Sequence, residues 1–340
     1  MTQGGKHLVF VDWMKVIGMY AIILGHFAPP PILQYITYSF SVQLFFFISG
    51  FLFHRENDNR VFWKKNIRLL VIPYLIWGIL RLITYNIKEC NFQIFVHSFL
   101  GLIMGCNNFG GARGCGELWF IVTLLCLKVF SQYVGVSYNR IGIITILSLL
   151  FALIYRLEIR STVIEFYGIG LFDSFVAYPY FSLGIIASKF KDEICVMADF
   201  SGQHTKFLCF IVFVIFVTLV CIAPINGVVY MVYGQYGYNI LLFVLFGIIG
   251  IISVFLISLV LSKLIRLAKY AKIINVGSIM ILGLHTLFVN KVKILLENFV
   301  GDNMLLYEMN LVLASFMILL AFVPLIKITH NYFPMAIGKR

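Results

Sequence analysis

The stretch VDWMKVIGMYAIILGHF, residues 11–27, has almost the length and composition of a membrane span, yet it contains three ionisable side chains. Apart from Asp12, Lys15 and His26, the run is nearly all apolar. Hydrocarbon does not solvate charge, so ionisable residues inside a span usually face the protein interior or a water-filled path. The stretch therefore predicts a membrane helix that also lines a functional cavity.

The three ionisable side chains share one face of the predicted helix. At about 3.6 residues per turn, Lys15 and His26 return to within about 20° of each other, and Asp12 lies about 40° from His26. Along the helix axis, Lys15 and His26 are about 16 Å apart at about 1.5 Å per residue. Interfacial explanations exist, since Lys15 could snorkel, Asp12 could pair with it, and His26 could mark the helix end. These explanations leave the shared face unexplained.

The whole chain has the composition of a multi-pass membrane protein. Of its 340 residues, 61% are hydrophobic and 12% are charged, whereas a soluble domain has about 25% charged residues. A bilayer span needs about 20 mostly apolar residues. The sequence predicts an all-α polytopic membrane protein with a single domain (1–340) and about ten transmembrane helices, with 92–105 as an additional re-entrant or interfacial helix. The spans are expected near residues 9–28, 35–54, 68–87, 117–137, 141–156, 171–190, 207–224, 238–262, 275–290 and 304–328.

Lysine and arginine residues are concentrated in alternate loops, chiefly 54–68 and 263–272. Because cytoplasmic loops are enriched in these residues, the asymmetry predicts that both termini are cytoplasmic. The net charge of +12 is then a topology signal, and we expect no nucleic-acid partner. The spacing in one Gly-rich loop allows a disulfide between Cys106 and Cys115. No cysteine spacing resembles a zinc site, so we expect no metal. The sequence does not indicate an oligomeric state.

Several segments resemble the membrane acyltransferase-3 family. Asp-x-x-Lys followed by an apolar run that ends in Gly-His (12–26) is similar to its first motif, and Lys15, where arginine is more usual, resembles the branch related to fucose 4-O-acetylase. Two positions depart from the family pattern, since Glu117 stands where a histidine is frequent and the last matching segment lacks a tyrosine. The other similar segments follow in the family's order: QLFFFISGFLF (43–53), KKNIRLLVIPYLIW (64–77), ELWFIVTLL (117–125), YPYFSLGIIASKF (178–190) and INVGSIMILGLHTLFV (274–289).

The resemblance implies an O-acyltransferase of a cell membrane, expected to be the cytoplasmic membrane of a bacterium. Its donor would be acetyl-CoA or another acyl-CoA, and its acceptor a hydroxyl of a glycan or lipid-linked saccharide. A neutral histidine can accept the hydroxyl proton, and His26 is our predicted general base. Because CoA carries several negative charges, we predict that cations at the cytoplasmic mouth bind it: Lys15, Arg68, Lys64 and Lys65.

The remaining site predictions each have a structural alternative. Asp12 either pairs with Lys15 or arranges the cations that meet CoA. Glu117 either orients His26, or binds the sugar acceptor, or anchors an interface. His285 belongs either to a polar tunnel or to a helix–helix hydrogen bond. Three aromatic residues either stack on a sugar or belong to an interfacial belt: Trp119, Tyr178 and Tyr180.

The main alternative to an acyltransferase is a transporter or exporter of a small anion or lipid-linked precursor. Asp12, Lys15 and His26 would then form its substrate or proton path. No inverted repeat is visible in the sequence, which disfavours transporters built from such repeats. A purely structural role would leave the charged face of the first span without a purpose.

Overall fold

The computed structural model describes residues 7–86, 91–110, 112–154, 166–167, 170–200, 205–300 and 304–339. Within these ranges, nine helices are long and apolar enough to cross a membrane. The predicted all-α polytopic fold is therefore confirmed. The helices are α1 (Val9–His26), α2 (Pro31–Phe51), α3 (Asn59–Asn66), α4 (Ile72–Asn86), α5 (Phe92–Met104), α6 (Trp119–Val134), α7 (Tyr138–Ile154), α8 (Gly170–Ser188), α9 (Lys191–Phe200), α10 (Thr205–Asn226), α11 (Ile240–Leu261), α12 (Ile265–Val276), α13 (Ser278–Val300) and α14 (Met304–Tyr332).

Nine of the ten predicted spans correspond to these long helices. The tenth, expected at 141–156, is α7, which has 17 residues. The span expected at 275–290 begins at Ser278, because Gly277 separates it from α12. The basic segment expected as a loop is largely helical, since α3 continues into α4 through a π-helical stretch, Ile67–Val71. The additional helix expected at 92–105 is α5.

Helix α1, which carries the charged face, lies at the centre of the bundle. Its neighbours among the described helices include α2, α11, α12, α13 and α14. In its span 61% of the residues are buried, compared with 11% in α10, whose large apolar side chains face outward. The charged face of α1 therefore meets other helices, which can supply hydrogen bonds that lipid cannot. We call its two ends the Lys15 end and the His26 end.

Helices α2 and α8 cross with their backbones in close contact. A Cβ atom at Gly50 would overlap the carbonyl oxygen of Phe181, and one at Gly184 would overlap that of Phe47. Small residues at helix interfaces in membranes allow this approach and the dispersion contacts that it brings. The crossing fixes α2, and with it the neighbouring α1, within the bundle.

Two small sheets lie at the His26 end. One consists of β1 (Asn108–Phe109), β2 (Ala112–Arg113) and β3 (Phe166–Tyr167), all antiparallel in the order β2-β1-β3. The other is a hairpin of β4 (Val229–Tyr230) and β5 (Gln235–Tyr236). These sheets hold the connecting segments over the helix ends, where the candidate site lies.

Cys106 and Cys115 lie beside the first sheet as free, buried thiols. The backbone N–H of Cys115 donates to the carbonyl oxygen of Cys106 at 2.8 Å, so the two residues are close in space. Burial, reinforced by the negative charge of Asp173, raises the pKa of Cys106 to about 11. Burial also raises the pKa of Cys115. Both groups are therefore protonated at neutral pH, and the disulfide that the spacing allows is not formed in this structure.

Candidate active site

A cavity of about 230 Å³ lies at the His26 end of the bundle. Its wall is built from the end of α1, the first half of α2, the start of α6, the β4–β5 hairpin and α13. His26, the last residue of α1, is part of this wall. A histidine at this position can meet a ligand in the cavity while the rest of its helix stays packed.

Aromatic rings and one amide give the cavity its chemical character. Tyr38 and Tyr230 have ring centroids 5.2 Å apart, and Tyr233 lies 6.2 Å from Tyr230. Trp119, a predicted acceptor contact, also lines the cavity. The amide oxygen of Gln43 is buried on this wall, and no described residue forms a hydrogen bond with it. Flat apolar surfaces beside an amide oxygen that lacks a hydrogen bond suit a ligand that has both C–H faces and hydroxyl groups.

The hairpin that contributes Tyr230 is fixed by Asn226 at the end of α10. The Asn226 side chain donates to the carbonyl oxygen of Tyr236 at 3.0 Å and accepts from the backbone N–H of Asn239 at 2.8 Å. Its own carbonyl oxygen accepts from Tyr238 N–H at 2.7 Å. One buried asparagine thus satisfies both sides of the connection and holds the aromatic wall in place.

His26 and His285 meet at the deep side of the cavity. Their ring centroids are 4.7 Å apart in an edge-to-face arrangement. His285 is fully buried, and its Nδ1 atom lies 2.9 Å from the carbonyl oxygen of Ile281 and 3.1 Å from that of Leu282. The two histidines, on helices far apart in sequence, therefore occupy the same level of the bundle.

A buried ion pair lies beside the two histidines. Arg81 of α4 is paired with Glu117, which precedes α6 and also lines the cavity. Arg81 is an electrostatic neighbour of both His26 and His285. Gly116 permits the pair to form, because its φ of +54° suits glycine and a Cβ there would overlap the Arg81 guanidinium. The predicted residue Glu117 is thus joined to the site through an arginine that sequence analysis did not select.

At the other end of α1, Asn275 connects Asp12 and Lys15. The ammonium group of Lys15 donates to Asn275 Oδ1 at 2.7 Å, and Asn275 Nδ2 donates to Asp12 Oδ1. The second carboxylate oxygen of Asp12 lies 3.1 Å from His7 Nε2. The pairing expected between Asp12 and Lys15 is therefore mediated by an amide from α12. Nothing in the sequence around Asn275 signals this role.

Lys15 belongs to a group of three lysines at its end of the bundle. Lys128, in the middle of α6, is an electrostatic neighbour of Lys15 and Lys65. Lys65 also pairs with Glu56 at 2.8 Å. Within the described part of the chain, no carboxylate pairs with Lys128. Two carboxylates, Asp12 and Glu56, neighbour these three cations, so the group keeps a net positive charge that suits an anionic ligand.

The other predicted donor residues are separate from this group. Lys64 is exposed on α3. Arg68 lines a different cavity, of about 930 Å³, between α4 and the end of α14. Its Nε atom is buried without a partner. The structure thus places both Lys15 and Lys65 near Lys128, and it places Arg68 in a different cavity.

The two predicted aromatic contacts on α8 do not line the His26 cavity. Tyr178 is buried against Phe130, with ring centroids 5.9 Å apart. Tyr180 is fully buried, and its hydroxyl donates to the carbonyl oxygen of Phe243 at 2.9 Å. The structure accounts for both residues as helix-packing contacts.

Two functional candidates were visible in the sequence but were passed over. Arg81 and Lys128 are single cations inside apolar runs, a position that is expensive in a membrane and usually functional. Sorting basic residues by loop attends only to residues between spans, so it overlooks cations within them. No group of three potential metal-ligating side chains occurs among the residues that the structure describes.

A family model described as an acyltransferase domain matches residues 8–330. The chain belongs to the acyltransferase-3 family. It is a membrane acyltransferase, which confirms the resemblance at the level of the family and favours this function over the transporter alternative. Comparison with curated proteins and with solved structures gives no significant match.

Proposed function

We propose that this membrane acyltransferase transfers an acyl group, in the first instance acetyl, from acyl-CoA to a hydroxyl of a glycan or lipid-linked saccharide, with His26 as general base. One observation carries the proposal. A single buried helix joins the lysine group at the Lys15 end to a histidine on the wall of an aromatic cavity. The reaction needs both environments, one for an anionic donor and one for a neutral polar acceptor.

The donor would bind from the Lys15 end. Lys15, Lys65 and Lys128 together offer the positive charge that the phosphates of CoA require. The rise along α1 from Lys15 to His26 is about 16 Å, a distance that an extended pantetheine arm can span. The acyl thioester would then reach the level of His26 while the phosphates remain with the lysines.

The acceptor would occupy the cavity at the His26 end. Sugar rings have apolar C–H faces, which pack on aromatic rings, and hydroxyl groups, which need hydrogen-bond partners. Tyr230 and Trp119 provide the rings. The amide oxygen of Gln43 can accept from a hydroxyl group, so a saccharide would satisfy a buried polar atom that is otherwise unmet.

The chemical step follows from this placement. His26 takes the proton of the acceptor hydroxyl as its oxygen attacks the thioester carbonyl, and a C–O bond forms. The tetrahedral intermediate collapses with cleavage of the C–S bond, and the CoA thiolate takes the proton from the His26 imidazolium. The products are an ester and free CoA, and no further reactant is needed.

The Arg81–Glu117 pair would stabilise charges that appear during this step. A preformed cation near the reacting carbonyl favours the oxyanion of the intermediate. The carboxylate of Glu117 favours the imidazolium that His26 becomes. Because the two groups are already paired and buried, they contribute without reorganisation at the moment of reaction.

The proposed orientation places the Lys15 end in the cytoplasm, which holds acyl-CoA. The basic loops at this end support that orientation through the positive-inside rule. The acceptor cavity would then face the opposite side, as expected for an enzyme of the bacterial cytoplasmic membrane that modifies exported polysaccharides. The similarity of the first motif to the fucose 4-O-acetylase branch supports a sugar hydroxyl as acceptor.

The test is acetyl transfer by the purified protein in lipid nanodiscs. Radiolabelled acetyl-CoA is supplied with free monosaccharides and polyprenyl-linked saccharides, and base-labile acetyl products are counted. We expect transfer by the wild type and by His54→Gln, an exposed histidine used as matched control. His26→Gln should be slower by about 10²–10⁴-fold, the usual contribution of a general base. Wild-type transfer rates in His26→Gln would contradict the role of His26, and acetyl-CoA hydrolysis without any saccharide product would contradict the acceptor class.

A further inference from the structure

The hydrogen bonds of His285 determine which of its nitrogens carries the proton. Its Nδ1 atom faces the carbonyl oxygens of Ile281 and Leu282, at 2.9 and 3.1 Å. A carbonyl oxygen only accepts, so Nδ1 must be the donor and must carry the hydrogen. In the neutral ring, Nε2 is then a lone-pair acceptor. His285 is therefore held in one tautomer by its own helix.

The Nε2 atom of His285 is buried and has no hydrogen-bond partner among the residues that the structure describes. An unsatisfied buried acceptor of this kind costs about 1–3 kcal/mol and calls for an explanation. The ring of His26 is its aromatic neighbour, with centroids 4.7 Å apart. His26 has an N–H group to donate, so the two rings are complementary in hydrogen bonding as well as adjacent.

We propose that His285 is a positioning residue for His26: its Nε2 accepts a hydrogen bond from one ring nitrogen of His26, which leaves the lone pair of the other nitrogen facing the cavity. This inference rests on the proposed function, because it assigns His285 a task in that same reaction. A base with two exchanging tautomers presents its lone pair to the substrate only part of the time. A fixed acceptor behind the ring removes the unproductive tautomer.

The same bond also serves the charged state of the base. When His26 takes the hydroxyl proton, both of its nitrogens carry hydrogen, and the N–H that faces His285 keeps its acceptor. His285 is poorly placed to take that proton, because its ring already donates through Nδ1 and lies beside the cation Arg81. The proton consequently stays on His26 until the CoA thiolate removes it.

The groups around the two rings determine how the site responds to pH. Arg81 on α4 and Glu117 before α6 are the charged groups. The tyrosines are Tyr38 on α2 and Tyr230 and Tyr233 of the hairpin segment. Arg81 and Glu117 carry opposite charges, which offset each other within the ion pair. A pH profile of transfer in which the His285 variants differ from the wild type would therefore report the histidine pair.

The first test reads the tautomer directly and needs no activity. Protein labelled with ¹⁵N-histidine is studied by NMR in nanodiscs, and the His26 signals are identified by their loss in His26→Gln. When His26 of the wild type is neutral, we expect one protonated and one unprotonated ring nitrogen, with separate ¹⁵N chemical shifts. In His285→Phe the two His26 shifts should move toward each other as tautomers exchange. Averaged shifts in the wild type, or unchanged shifts in His285→Phe, would overturn the proposal.

The second test uses acetyl transfer. His285→Phe should lower kcat by about tenfold or more, part of the 10²–10⁴-fold that a general base contributes, with KM for acetyl-CoA unchanged. His285→Gln, whose amide oxygen can accept the same bond, should recover part of the loss. The positioning role of His285 would be contradicted if His285→Phe had the kcat and pH profile of the wild type. Equal losses of kcat in His285→Phe and His285→Gln would also contradict it. If the wild type shows no transfer at all, the proposed function fails, while the NMR measurement still decides the tautomer.

Discussion

Arg81 on α4 and Glu117 at the start of α6 form a buried ion pair next to the two histidines of the cavity. Arg81 is 5% exposed, so neither water nor lipid can replace its partner. The pair links α4 to the segment before α6, which lines the cavity. It therefore couples the stability of the His26 end to the chemistry proposed there.

Replacing one partner of this ion pair should destabilise the protein more than replacing both partners. Glu117→Met leaves the buried charge of Arg81 without its partner, which costs about 3–5 kcal/mol, and Arg81→Met leaves the half-buried carboxylate of Glu117, which costs less, whereas replacing both partners is often close to neutral. In one detergent, the melting temperature should be highest for the wild type, lower for the double variant and lowest for the single variants. A double variant that melts below both single variants would show that the two side chains act independently.

The lysine group should determine donor affinity. Lys15→Gln and Lys128→Gln each remove a charge-assisted bond of about 1.5–3 kcal/mol, so the Kd for CoA should rise by about tenfold or more. Lys191→Gln, on α9, removes the same charge elsewhere and serves as control. Isothermal titration with CoA measures the effect. Unchanged CoA affinity in Lys128→Gln would remove Lys128 from the donor site.

Gln43 should affect the acceptor and leave the donor unaffected. Gln43→Leu keeps the approximate shape of the side chain but removes the amide oxygen that can accept a hydrogen bond in the cavity, together with the amide N–H that donates to the Tyr38 carbonyl oxygen. KM for the saccharide acceptor should rise by about tenfold, the loss of about one hydrogen bond, with Kd for CoA unchanged. Gln93→Leu, at an exposed position on α5, is the matched control. A parallel rise in both constants would indicate general misfolding of the site.

The crossing of α2 and α8 should tolerate no added methyl group. In Gly50→Ala the new Cβ would overlap the carbonyl oxygen of Phe181, so overpacking should cost about 1–3 kcal/mol. Gly142→Ala is the matched control, because no heavy atom of a neighbour lies within 4 Å of the Cβ position on α7. Thermal unfolding of both variants in one detergent makes the comparison. Equal melting temperatures would mean that the two backbones are farther apart than the structure shows.

The spans could be predicted from sequence because lipid selects long apolar runs, and that signal is local. The charged face of α1 was also visible, since helical periodicity aligns Lys15 with His26 regardless of the fold. The buried position of α1 in the structure is the arrangement that such a face needs. The weakest assignment was α7, whose 17 residues are short for a span.

The partners of the charged face could not be predicted, because they come from packing between distant segments. Asn275 meets Lys15 and Asp12, and His285 meets His26, only after α12 and α13 dock on α1. Sequence placed His285 in its helix but could not place it at the level of His26. The aromatic residues of the hairpin join the cavity only through the bonds of Asn226.

In the proposed mechanism, acyl-CoA binds independently of His26, the base that acts on it. The most direct measurement is a titration of acetyl-CoA followed by thermal unfolding of the wild type and His26→Ala. A ligand that binds only the folded state raises the melting temperature with its concentration. We expect a comparable rise in both proteins, since His26 lies at the opposite end of α1 from the lysine group. A rise in the wild type alone would contradict independent binding of the donor, and no rise in either protein at millimolar acetyl-CoA would contradict the donor site itself.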